Sequence, residues 1–107
     1  MKNKNLCFPV VGMNAEPEKA NFLRQLMKDV IAGHVKHVDI KIEPEPSNPF
    51  DAGAIAVLLN GTKIGFIGRE NQAYFNFTST GSYAAQITHW GVTQNDEAVF
   101  IYIQPYL

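Results

Sequence analysis

The chain has 107 residues, 46% of them apolar and 18% charged, which suits one compact domain, is too short for two, and is too apolar for a disordered segment. A net charge of −1 argues against tight, salt-driven wrapping of duplex nucleic acid but leaves room for a small local site for a strand end, and a single cysteine, Cys7, excludes an internal disulfide. No apolar run approaches a membrane span, and Leu6–Met13, after the basic MKNKN, is short and lacks a small-residue cleavage site. The sequence therefore predicts a cytoplasmic protein with no signal peptide and no membrane partner. A lone thiol fits a reducing compartment, with Cys7 as a small buried strand residue.

Residues 6–12 (LCFPVVG) predict a first strand, with Pro9 at an edge or bulge and Gly12 as its end. Residues 17–32 predict the one long helix. Pro17 suits its first position, Asn14 or Glu16 is the candidate cap, and Gly33 is the stop. Ala20, Leu23, Leu26, Met27, Val30 and Ile31 recur at helical spacing. HVDIKI (37–42) alternates as a half-buried strand, and a loop follows over 43–53. Residues 54–59 and 62–67 predict a hairpin around Asn60-Gly61, the strongest local signal in the chain. Residues 69–77 suggest a short second helix with Tyr74, Phe75 and Phe77 as core. Residues 82–92 and 97–103 predict a last hairpin around Thr93–Asp96.

Hairpins dominate this order. The expected fold is mainly β with one packed helix: a single domain over 1–107, built as a small OB-like, partly closed antiparallel barrel plus a short second helix. Barrels of this kind offer one face to nucleic-acid strands or small ligands.

The search for catalytic chemistry finds no triad, no phosphate-binding Gly-rich loop and no H-E-x-x-H. His34 and His37 are spaced H-x-x-H, but no second ligand pair completes a zinc site. Glu43, Glu45 and Asp51 are close in sequence, but the prolines between them splay their directions. No catalytic residue, metal or cofactor is therefore expected. A binding surface is the stronger signal. Asn48, Phe50 and Asp51 stand in one loop, and Phe66 and Arg69 near the far end of the following hairpin. A ring stacks on a base, an arginine meets a phosphate, and a carboxylate accepts from a terminal sugar hydroxyl. The same residues admit a structural reading, in which Asp51 closes the loop, Asn48-Pro49 starts a turn, Phe50 and Phe66 are core, and Arg69 caps the short helix.

The run Glu43-Pro44, Asn48-Pro49-Phe50-Asp51, Ala54-Ile55-Ala56-Val57, Gly61, Ile64-Gly65-Phe66-Ile67 and Arg69-Glu70 resembles the HIRAN domain over about residues 8–75, with Val10-Val11-Gly12 similar to its first strand. HIRAN domains are barrels related to the OB type. They occur at the front of Swi/Snf-type ATPases of replication-fork repair and as stand-alone bacterial proteins. The resemblance implies binding of single-stranded DNA at its free 3′ end. It implies Asn48 and Asp51 at the sugar hydroxyl, Phe50 stacked on the last base, Arg69 at the phosphate and Phe66 as lining. Three departures stand out. Glu45-Pro46 lengthens the loop, Phe50 replaces a tyrosine, and Met13-Asn14-Ala15-Glu16 stands where DNA-binding members carry a basic-aromatic pair. The expectation is a non-enzymatic module for single-stranded DNA. The alternatives are a protein-interaction scaffold of the same fold and, behind it, a metal-dependent hydrolase using Glu43, Glu45, Asp51 and a histidine.

Overall fold

The computed structural model describes residues 7–14, 16–35, 38–75, 81–93 and 98–106. Phe77, His37, Ala15 and the tip of the last hairpin, each part of an expectation above, lie outside them. The element order is β1 (Phe8–Val11), α1 (Pro17–Ile31), β2 (Ile40–Pro44), β3 (Ile55–Leu59), β4 (Thr62–Ile67), a 3₁₀ helix (Arg69–Tyr74), β5 (Tyr83–Val92) and β6 (Val99–Pro105). All strand pairs are antiparallel, in the order β1-β4-β3-β2-β5-β6, and β6 returns to β1 to close the barrel. The mainly β barrel with one packed helix is as expected, and its closure is complete. Among the described residues no helix is long and apolar enough to cross a membrane.

Alternation builds the core. Ile40 and Ile42 of β2, Ile55, Val57 and Leu59 of β3, and Val99, Ile101 and Ile103 of β6 all point inward and are buried. Asn60 and Gly61 both adopt positive φ (51° and 86°), the backbone that a two-residue type I′ turn demands. The Asn60 side chain then accepts the Asp39 N–H at 2.8 Å, while the Asn60 N–H donates to the Asp39 carbonyl at 2.8 Å, so the turn is tied to the strand beside it.

Two register shifts break the alternation. On β4, Val57 pairs with Gly65 but Leu58 with Lys63, so Ile64 is an extra residue. On β5, Ile87 pairs with Ile103 but His89 with Tyr102, so Thr88 is extra and donates its hydroxyl to the Tyr102 carbonyl at 3.2 Å.

Several local expectations change. Pro9 does not lie on an edge strand, because the barrel has none. It is accommodated because β1 pairs with β6 through Phe8 and Pro9 and with β4 only from Val10 onward. Cys7 lies just before β1 and is half-buried. Glu16 is the helix N-cap, without a side-chain bond. Asn14 instead pairs with the backbone of Val99, donating from Nδ2 at 2.9 Å and accepting at Oδ1 at 3.0 Å, and so fastens the start of α1 to β6. The helical stripe is buried only toward its N-terminal half, at Ala20 and Leu23, while Phe22 (43% exposed) and Ile31 (78% exposed) face outward. Phe75 packs at 5.2 Å from the Phe8 ring and 6.2 Å from Tyr83, whereas Tyr74 touches Phe8 but remains half-exposed.

Gly65 is the tightest point of the barrel. A Cβ there would collide with the Val11 carbonyl oxygen and come within 2.9 Å of Val10 Cγ1. The obstacle is backbone, which cannot swing aside. Replacing Gly65 by Ala should cost about 2–3 kcal/mol in urea denaturation. Gly68→Ala should stay within about 1 kcal/mol of the parent, since its φ of −56° suits alanine and the added methyl meets only the flexible end of Glu70. Equal losses at the two positions would refute the close-approach account.

Candidate functional site

The loop from Glu45 to Ala54 joins β2 to β3. Its ends are closed by the Glu45 N–H donating to the Ala54 carbonyl at 2.8 Å. Within it, Asn48 Oδ1 accepts two backbone N–H groups, from Phe50 at 2.9 Å and Asp51 at 3.0 Å, while its Nδ2 donates to Glu45 Oε1 at 2.9 Å. This is the short-range bonding for which asparagine is favoured in turns. Asp51 Oδ1 accepts the Gly53 N–H at 3.0 Å, and Oδ2 accepts from Gln72 Nε2 at 2.9 Å and Arg69 Nε at 3.4 Å. The loop is thereby pinned to the 3₁₀ helix. The Phe50 N–H is taken by Asn48 inside the turn, while its ring lies outward and is 90% exposed.

These residues frame a groove of about 550 Å³ on the outside of the barrel. Its floor is Val11 and Phe66, opposite one another on β1 and β4. The 45–51 loop forms one side and Glu16 and Lys19, at the start of α1, also line it, with Arg69 and Gln72 contributed by the 3₁₀ helix. Asn48, Phe50, Asp51, Phe66 and Arg69, distant in sequence, all line this one groove. Phe66 is on the outer face and half-buried, and so not a core residue.

Lys19, Lys63 and Gln72 are members that sequence reasoning missed, and Glu45, considered there only as a metal ligand and a loop extension, is another. Strict alternation would set Lys63 and Phe66, three residues apart, on opposite faces. The extra residue Ile64 restores them to one face, and the Lys63 ammonium lies 5.1 Å from the Phe66 ring centroid. Gln72 follows Arg69 by one turn of the 3₁₀ helix, a spacing that signals a shared face only once the helix is known.

The electrostatics are those of matched pairs. Lys63 Nζ lies 2.9 Å from Glu45 Oε2, Arg69 Nε 3.4 Å from Asp51 Oδ2, and Lys19 Nζ 3.9 Å from Glu16 Oε2. The hydrogen bond from Lys63, with that from Asn48, holds the Glu45 carboxyl below the usual carboxylate range. The Gln72 amide first, then the Gly53 N–H and the Arg69 charge, do the same for Asp51. Arg69 uses only Nε on Asp51, is 75% exposed at its side chain, and has no partner on its two terminal amino groups among the described residues. Among the described residues no three of His, Cys, Asp and Glu come together to hold a metal ion. Glu43 belongs to β2, Glu45 is taken by Lys63 and Asn48, and His89 lies on β5 against Tyr102, with ring centroids 5.7 Å apart.

Depressed carboxyl pKa values fix the sign of the pH dependence. The contribution of Glu45 and Asp51 to loop order is present above their ordinary pKa values, about 4, and is lost as pH falls through the lower folded values. Hydrogen exchange should therefore show the Gly53 amide protected at pH 5 to 7 and released only as the pH falls below the ordinary aspartate range. Asn48→Ala should lose protection at Phe50 and Asp51 at every pH and cost about 1 kcal/mol, as removal of a capping side chain does. Unchanged protection in that variant would mean the loop is held by other means.

Comparison of the chain with protein-family models, with curated proteins and with solved structures finds no match in any of the three.

Proposed function

We propose that this chain is a non-enzymatic binding module for single-stranded DNA, and that the groove takes the strand's free 3′ end. The observation that carries the proposal is the convergence of an exposed ring, a second ring, an arginine whose two terminal amino groups have no partner among the described residues and a carboxylate on one groove of about 550 Å³. Each has a task at a strand end. Phe50 stacks on the last base, worth about 1–3 kcal/mol in such sites. Phe66 lines the floor beneath it. Arg69 offers its terminal amino groups to a phosphate as a fork. Asp51 has accepted three hydrogen bonds, and a carboxylate has about four lone-pair sites, so one is left for a sugar hydroxyl. Asn48 acts through the backbone of the loop, fixing where Phe50 and Asp51 stand. The similarity of this loop and hairpin to the HIRAN pattern supports the same assignment.

The second reading is a protein-interaction module on the same fold. It is favoured by the pairing of each groove cation with a carboxylate, which leaves little net field for a polyanion.

Fluorescence anisotropy of a labelled single strand, bearing either a 3′-hydroxyl or a 3′-phosphate, separates the two. The expected result is tighter binding of the free hydroxyl end, with Phe50→Ala weakening it about tenfold or more and Asp51→Ala removing the preference between the ends. Absence of binding to either strand at low salt would overturn the DNA assignment and favour a protein partner.

A further inference from the structure

The Glu45–Lys63 pair has a property that a structural staple does not need. Glu45 is already fixed without Lys63: its N–H donates to the Ala54 carbonyl, and its Oε1 accepts from Asn48. Only Oε2 is given to Lys63. Lys63 in turn has used one of three ammonium donors on Glu45. The pair is partly exposed, 44% at the lysine and 27% at the glutamate, so it contributes little to stability and exchanges readily with another anion. The Ile64 register shift sets Lys63 on the groove face beside Phe66, so that its ammonium faces the groove and not the core.

We propose that Lys63 is a phosphodiester-binding residue of the groove and that Glu45 is its built-in counter-ion, displaced when a strand backbone enters. This rests on the strand-binding reading above. The two rings and Arg69 then hold the terminal nucleotide, and Lys63 meets a further phosphate of the same strand. Glu45 sets a threshold of affinity. An anion lacking a base must still compete with the carboxylate, whereas a strand that also stacks on Phe50 and Phe66 compensates for the exchange. Glu45 therefore lowers affinity for every anion by the same factor, and only those that make further contacts keep useful affinity.

The test compares the parent protein, E45Q, K63Q and the double variant in two measurements. Glutamine at position 45 retains an oxygen for the Asn48 amide, so the loop bond persists while the ion pair is lost. Anisotropy with a labelled oligothymidylate of roughly ten nucleotides, across a salt series, reads strand binding. A two-dimensional amide NMR titration with inorganic phosphate reads the subsite alone. The expected result is that E45Q binds the strand about three- to tenfold more tightly and K63Q correspondingly more weakly, with the salt slope of K63Q reduced by about 0.7. E45Q should have no effect once Lys63 is gone, and phosphate should shift the amides around Lys63 in E45Q but not in the double variant. If the parent binds the strand and E45Q is neutral or weaker, or K63Q leaves the salt slope unchanged, the inference is overturned. If no strand binds but phosphate shifts the Lys63 region in E45Q only when Lys63 is present, the subsite stands and the DNA assignment falls. If neither strand nor phosphate has an effect, both are overturned.

Discussion

The contact on which the rest of the molecule depends is the passage of β1 over Gly65. No side chain fits there, because the Val11 carbonyl oxygen and the Val10 side chain occupy its place. That approach lets a strand of only four residues bridge β4 and β6 and close the barrel. It also coincides with the register shift of β4, where Ile64 adds one residue opposite Val57 and Leu58. A bulge reorients the side chains beyond it. Ile64 and Ile67 both enter the core, and Phe66 and Lys63 both leave it. Barrel closure and groove formation are thus two results of one local geometry.

On this floor the β2–β3 loop is assembled almost wholly from short-range hydrogen bonds. Asn48 and Asp51 satisfy backbone donors two or three residues away, and Gln72 and Arg69 secure the carboxylate from the 3₁₀ helix. Such a loop pays for its order locally and needs no core of its own. Under the proposed function, the consequence is a ring held outward on a fixed base: Phe50 has little backbone entropy left to lose when a ligand stacks on it. Under the proposed function, structural and recognition roles are not alternatives for Asn48 and Asp51. The bonds that shape the turn are the ones that aim the groups around it.

The groove is balanced in charge before anything binds. Each of its three cations faces a carboxylate at 2.9 to 3.9 Å. A chain with a net charge of −1 cannot rely on long-range attraction to gather a polyanion. Under the proposed function, affinity comes from stacking and from exchange of ion partners at short range, and specificity from the requirement that both occur together.

The sequence by itself determined the order of the elements, the mainly antiparallel character of the sheet, the Asn60-Gly61 turn and the inward row of β2. These follow from side-chain period and from turn chemistry, which act over a few residues. It also marked Asn48, Phe50 and Asp51, as an aromatic among turn residues, with Phe66 and Arg69 near the far end of the following hairpin, but left open that the two rings are core. Only the tertiary structure decided that these five share one groove, that Lys63 and Lys19 join them, and that Asn14 binds β6 instead of capping α1. The same holds for the barrel's complete closure and for the short buried part of the helix. Each of these depends on register and on which strand meets which. A single extra residue reverses the face of everything after it, and no periodicity in the chain announces where that residue will be accommodated.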